Sequence, residues 1–134
     1  MTAHPELVSG TARNDLAFMR AGRGDWVTKV GADGVQAVAS KSRRQAFALK
    51  IADGNKLAVH AATVAVLDQL GWLDARQREE LRPWRAESIA NTHGTQVGER
   101  KACLRCSSQG KARPISPPMP MQPVASFCAE ICCY

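Results

Sequence analysis

Residues 1–100 contain no cysteine, and proline occurs in them only at Pro5 and Pro83. A stretch without thiols cannot build a thiolate metal site of its own. Aromatic side chains make up 5% of the whole chain, with a single tyrosine, Tyr134. No run approaches the roughly 18 apolar residues that a membrane-spanning helix needs, so no membrane partner is expected. The start, Met1-Thr2-Ala3-His4-Pro5-Glu6, has neither the basic beginning nor the apolar centre of a signal peptide, and a cytoplasmic location is expected. A concentrated excess of positive charge is also missing. The formal net charge of +6 is spread thinly, because residues 1–100 hold 14 basic and 11 acidic side chains and residues 101–134 hold 4 and 1. No nucleic-acid partner is expected from so even a distribution.

What is present falls into two regimes. Residues 1–100 mix apolar and charged side chains as a globular domain does, whereas residues 101–134 hold all five cysteines and five of the seven prolines. The tail is predicted to be disordered, since Pro, Ser and Lys with little apolar mass cannot offset the entropy of ordering. A change of reading frame near Arg100 would also produce such a boundary. Cys103-Leu104-Arg105-Cys106, with Cys128, Cys132 and Cys133, leaves a second possibility. In that reading the chain is a small non-catalytic binding protein whose cysteine tail takes up a metal or a partner.

In chain order, His4–Gly10 reads as a loop. Asn14 or Asp15 can cap a short helix over 16–21 that Gly22 and Gly24 end. Trp26–Val30 and Val35–Ala39 have the β-branched and small apolar character of strands, joined by the turn Gly31-Ala32-Asp33-Gly34, and Ala46–Ile51 comes next as a third strand. Three strands with short links predict an antiparallel meander. From Lys56 to Leu70 there is no Gly or Pro, Asp53 or Asn55 can cap, and Gly71 stands at the end. This helix is apolar on almost every face, which predicts cover on more than one side. A second, amphipathic helix is expected to open with Leu73 and Asp74 and run through Leu81, stopped by Pro83. Trp84 and Ile89 are expected to pin the next segment to the core, and Asn91–Gly98 to form a final loop or edge strand.

Lys29, near the end of the first strand and two places before Gly31, is the candidate catalytic residue. A lysine followed by glycine on a strand resembles the Lys-Thr-Gly strand of serine-reactive β-lactamase-type enzymes, where an ammonium and a closely approaching backbone line the substrate cleft. A lysine beside a hairpin turn is more ordinarily a solvated charge. His60, inside the long helix, reads as a helix-face or core histidine, and His93 as a solvated loop histidine, since neither has a cysteine or second histidine at ligand spacing.

His4-Pro5-Glu6-Leu7-Val8-Ser9-Gly10 with Arg13 and Asp15, Lys29-Val30-Gly31-Ala32-Asp33-Gly34-Val35, Lys50-Ile51-Ala52-Asp53-Gly54-Asn55-Lys56, and Asn91 with Gly94 and Val97-Gly98 occur in order. Together they resemble the C-terminal part of the L-asparaginase II family, the thermolabile rhizobial-type class 3, over about residues 4–100. The resemblance implies an α+β fold, a partial β-lactamase- and glutaminase-like domain with an antiparallel sheet flanked by helices. It implies hydrolysis of L-asparagine to L-aspartate and ammonia by a Ser-x-x-Lys nucleophile pair and a second Ser–Lys pair, with zinc held by a Cys-x-x-Lys segment and another cysteine. Only the second lysine is carried over, onto Lys29. Residues 1–100 contain no Ser-x-x-Lys, so the expectation is an asparaginase fragment with one wall of the site, no metal ligand or cofactor of its own, and no activity alone. Lys29 would act on the hydroxyl as proton acceptor or as electrostatic support. With half the domain absent, self-association through a bare sheet edge is expected.

Overall fold

In a computed structural model, the structure describes residues 1–11 and 13–106. Most of the tail predicted to be disordered, with Cys128, Cys132 and Cys133, lies outside the described residues, whereas its first six residues, 101–106, are described. The chain opens with a single helical turn, α1 (Glu6–Ser9), where a loop is predicted. Helix α2 (Asn14–Ala21) begins two residues earlier than expected. Its N-cap is Arg13, in extended conformation and without a side-chain cap, because the Asn14 and Asp15 side chains turn into the protein interior rather than back onto the helix.

Strands β1 (Trp26–Val30), β2 (Val35–Ser40) and β3 (Gln45–Lys50) form the predicted antiparallel meander in the order β1-β2-β3. Pairing joins Thr28 to Val38 and Val38 to Phe47, which puts these three on one face with Trp26, Gln36 and Leu49. That face is buried, while Lys29, Ala37, Ala48 and Lys50 point the other way and are exposed, as the period of two requires.

Helix α3 (Lys56–Gln69) covers the buried face. Of its two candidate caps the structure selects Asn55, whose side chain accepts from the amides of Leu57 and Ala58. Asp53 instead accepts from the Asn55 amide and shapes the preceding loop. Gly71, at φ 67°, turns the chain out of the helix. Val59, Ala62, Val66 and Leu67 join Val38, Phe47 and Leu49 in one core, and Trp72 lays its ring against Trp26 and Phe47, with centroids 6.4 and 5.8 Å away. The expectation that α3 is covered on more than one side holds, because α5 (Arg82–Arg85) and the hairpin of β4 (Ala86–Ala90) and β5 (Gln96–Lys101) also pack on it. Among the described residues the result is an α+β fold of two antiparallel sheets and helices.

Other sequence expectations hold in part or not at all. The second amphipathic helix forms as α4 (Ala75–Glu80) between the caps Asp74 and Leu81, with a capping box between Asp74 and Gln77, but Leu73 is buried ahead of it rather than opening it. Pro83 does not stop a helix but sits in the first turn of α5, where its missing N–H has no partner to lose. Trp84 does anchor, with its ring 6.1 Å from Phe18 and 4.9 Å from His60. Ile89 does not, being 41% exposed on β4. The boundary near Arg100 falls inside β5, and Leu104 and Cys106 pack against the core beyond it. The Gln69 side chain fixes that segment by donating to the Leu104 carbonyl and accepting from the Cys106 amide, both at 2.8 Å. Burial against this surface pushes the Cys106 thiol pKa up.

At the end of the sheet away from the Gly31–Gly34 turn, half-buried Asp25 ties β2 to the loop after it. Burial disfavours the charge of its carboxyl, but donors on Ser40 and Ser42 outweigh that and hold its pKa below the ordinary value of 3.8. A group depressed in the folded state contributes stability above its ordinary value and loses that contribution as pH falls through the folded one. The melting temperature of the wild type should therefore exceed that of Asp25→Asn at neutral pH, with the margin closing below pH 3.8. A margin that stays constant to lower pH in calorimetry would contradict the assignment.

Candidate active site

The site is built where β1 ends. Alternation along β1 sends Thr28 inward and Lys29 outward, and the next four residues reverse the chain, with the Gly31 amide donating to the Val35 carbonyl at 2.8 Å. Asp33 and Gly34 have φ of 55° and 73°, a left-handed pair that favours glycine at the second position. The loop at 51–55 lies directly behind this turn. A Cβ on Gly34 would come within 2.8 Å of the Gly54 Cα, and the Ile51 amide donates to the Gly34 carbonyl at 2.9 Å. Lys50 adds hydrogen bonds from Nζ to the Asp33 and Ile51 carbonyls. Turn and loop are thus one layer, which also carries the N-terminus of α3.

Between this layer, α2 and α3 lies a cleft of about 560 Å³, lined among others by Arg13, Lys29, Asp33, Lys56, His60 and Trp84. Among the described lining residues, three basic side chains stand against one carboxylate, which makes a positively charged concavity suited to an anionic ligand. Lys29 stands at its edge, with the side chain 54% exposed. Its ammonium curls back along β1 to donate to the Val30 carbonyl at 2.7 Å, and lies 3.9 Å from a carboxylate oxygen of Asp15.

Asp15 has no exposure to water. Its Oδ1 accepts from Thr28 Oγ1 at 3.0 Å and Gln36 Nε2 at 2.9 Å, and its Oδ2 accepts from the Val30 amide at 3.0 Å. Asn14 completes the group by donating to Gln36 Oε1 at 2.7 Å. From sequence Asp15 reads as a helix cap, and Thr28 and Gln36 are not singled out. The available signal is that these two polar residues occupy inward positions of otherwise apolar alternating strands.

Of the other sequence candidates, His60 lines the cleft with its ring edge-on to Trp84, while His93 sits in the β4–β5 turn that the Asn91 side chain organises. No residue described as lining the cleft carries a hydroxyl or a thiol. Ser40 and Ser42 are with Asp25 at the other end of the sheet, and the Thr28 hydroxyl is committed to Asp15. Ser-x-x-Lys spacing does occur once, at Ser108 and Lys111, outside the described residues. Among the described residues no three His, Cys, Asp or Glu side chains are grouped to hold a metal ion.

A family model described as L-asparaginase II matches residues 1–102. The chain belongs to the L-asparaginase II family. The match takes in α1 to β5, and with them the Lys29 turn, the Asp15 cluster and the whole cleft lining. No curated protein matches the chain. An asparaginase-type function follows at the level of the family, with L-asparagine as the small-molecule substrate that family membership implies. No helix among the described residues is long and apolar enough to cross a membrane.

The stacked turn and loop are testable on their own. Gly34→Ala places a Cβ on a left-handed residue and against the Gly54 backbone, and should cost about 1–3 kcal/mol of stability. Urea unfolding measures it, and a variant as stable as wild type would show that the turn does not bear on the 51–55 loop.

Proposed function

We propose that this chain provides the lysine wall of a site that hydrolyses L-asparagine to L-aspartate and ammonia, and that it is inactive alone. The observation that supports this reading best is the anchored Lys29 ammonium at the edge of a cation-lined cleft, inside the block shared with L-asparaginase II. Hydrolysis of a side-chain amide needs a hydroxyl to attack the carbonyl carbon, a group to take the hydroxyl proton, and a proton for the departing ammonia. Water then releases the acid. Lys29, beside a carboxylate, is suited to hold the attacking hydroxyl and to stabilise the oxygen that becomes negative in the tetrahedral state. Arg13 and Lys56 suit the α-carboxylate of asparagine and the second carboxylate that appears in aspartate. The nucleophile has no source among the described residues that line the cleft, so a complementing portion of the domain is proposed to bring it.

Two experiments test this reading. The purified chain should release no ammonia from L-asparagine above background, and clear turnover would overturn the fragment reading. Completed with the N-terminal portion of an L-asparaginase II enzyme, fused or as a separate chain, it should turn over. Lys29→Ala should then abolish activity, and Lys29→Arg should fail to restore it, because a planar guanidinium does not replace a compact ammonium. Lys41→Ala, after β2, should be nearly silent. Equal losses from Lys29→Ala and Lys41→Ala would reduce the Gly31–Gly34 block to an ordinary hairpin.

Self-association is proposed on separate grounds. Strands β1 and β3 are both edges among the described residues, and the outward face between them exposes Ala37 and Ala48. Sedimentation should show mass rising with concentration, and a monomer at the highest concentrations would rule it out.

A further inference from the structure

A fully buried carboxylate in a domain this small is an expensive feature, and a leucine or valine would fill the same space without desolvating a charge. Asp15 is held by three neutral donors, and all three come from the strands next to Lys29: Thr28 and the Val30 amide on β1, and Gln36 on β2. Thr28 and Val30 flank Lys29 in sequence. The carboxylate is therefore fixed to the residue before the lysine and to the residue after it, with a fourth contact to the lysine ammonium itself, 3.9 Å from Oδ2. The ammonium also bonds the Val30 carbonyl, so Asp15, the Val30 peptide groups and Lys29 Nζ form a closed ring of polar contacts.

Resting on the reading of Lys29 given above, we infer that Asp15 is a positioning residue for that lysine, a buried anion that draws the exposed ammonium back along β1 and holds it at the edge of the cleft. A lysine side chain has four rotatable bonds and more than half of this one is in water, so without a fixed counter-charge its head would sample a wide volume. The anchor is itself immobile. Asp15 sits in the first turn of α2, and Asn14 in the same turn donates to Gln36, so the Asp15–Gln36 pair is gripped from both ends. Packing of α2 against β1 thereby sets where the ammonium lies.

The inference is tested by the reactivity of Lys29 in the full chain, which needs no hydrolysis. A limiting amount of acetic anhydride at one fixed pH acylates amines, and peptide mass spectrometry gives the labelling of Lys29 relative to Lys41 and Lys56. An ammonium held by an anion labels slowly. In Asp15→Asn the relative labelling of Lys29 should rise about threefold or more, the scale of an ordinary partly exposed ion pair. Lys41 and Lys56 are exposed in the fold already and serve as reference amines, while a cooperative melt shows that the fold as a whole has not loosened.

Because Asp15→Asn also takes an acceptor away from the donors around it, Asp15→Asn with Gln36→Glu provides a second variant. There the new amide at position 15 donates to the new carboxylate at 36 and accepts from the Val30 amide, and Asn14 keeps its acceptor. The Thr28 hydroxyl keeps the backbone carbonyl of residue 15, 3.3 Å away, as its acceptor. The cluster retains one negative charge, but the charge is moved away from Lys29. Raised Lys29 labelling in either variant, with a cooperative melt, supports the inference. An unchanged ratio in a variant that melts cooperatively overturns it, and so does failure of both variants to fold, since Asp15 would then be a structural anchor only. The outcomes separate from those for the chemistry. A silent Lys29→Ala in the completed enzyme with raised labelling in Asp15→Asn removes the catalytic reading and leaves the anchor. An inactive Lys29→Ala with unchanged labelling does the reverse.

Discussion

A negative charge cut off from water persists in a small fold only when its oxygens are fully bonded, and the shape of this domain around β1 follows from meeting that condition at Asp15. Helix α2 has to start at Asn14 so that its first turn faces inward, β1 has to offer Thr28 inward, and β2 has to carry Gln36 opposite Val30 in the register. A slip of one residue between β1 and β2 would turn Thr28 or Gln36 to the outer face and strand the carboxylate. Strand register and helix start are thus set by polar as well as apolar demands.

The apolar demand is met by α3. Residues along this helix contribute to one core with the sheet, and the same helix receives α5 and the β4–β5 hairpin, so both sheets take their positions from it. Its N-terminus also stands at the cleft, with Lys56 and His60 one turn apart. The charged concavity is therefore a by-product of the same helix that closes the hydrophobic interior, and its walls cannot shift without disturbing the core.

Much of this is legible in the sequence because period and punctuation agree. The meander, the long helix from Lys56 and the turn at Gly31–Gly34 all have apolar spacing and glycine placement that admit one reading. Lys29 stands out by its place before Gly31 and by family resemblance. Its anchor does not, because an inward polar residue is only a break in alternation until the partner 13 or 21 residues away is known. Asp15 also fits the pattern of a helix cap, and nothing local separates a cap from a buried acceptor. Pro83 and Ile89 mislead for a related reason. A proline can open a helix as well as end one, and whether an isoleucine on a hairpin is covered depends on what lies across from it.

The Gln69 side chain bears on the order in which the molecule can be completed during synthesis. Its amide grips the backbone of residues 104 and 106, so the end of α3 is finished by chain that leaves the ribosome 35 residues later. The first sheet and α3 can meet as soon as residue 70 is clear, but the apolar ground under Leu104 stays open until the later segment arrives. A nascent chain of this sequence passes through an interval in which its first sheet is formed and this seam is not, and that interval lasts as long as the β4–β5 hairpin takes to be made.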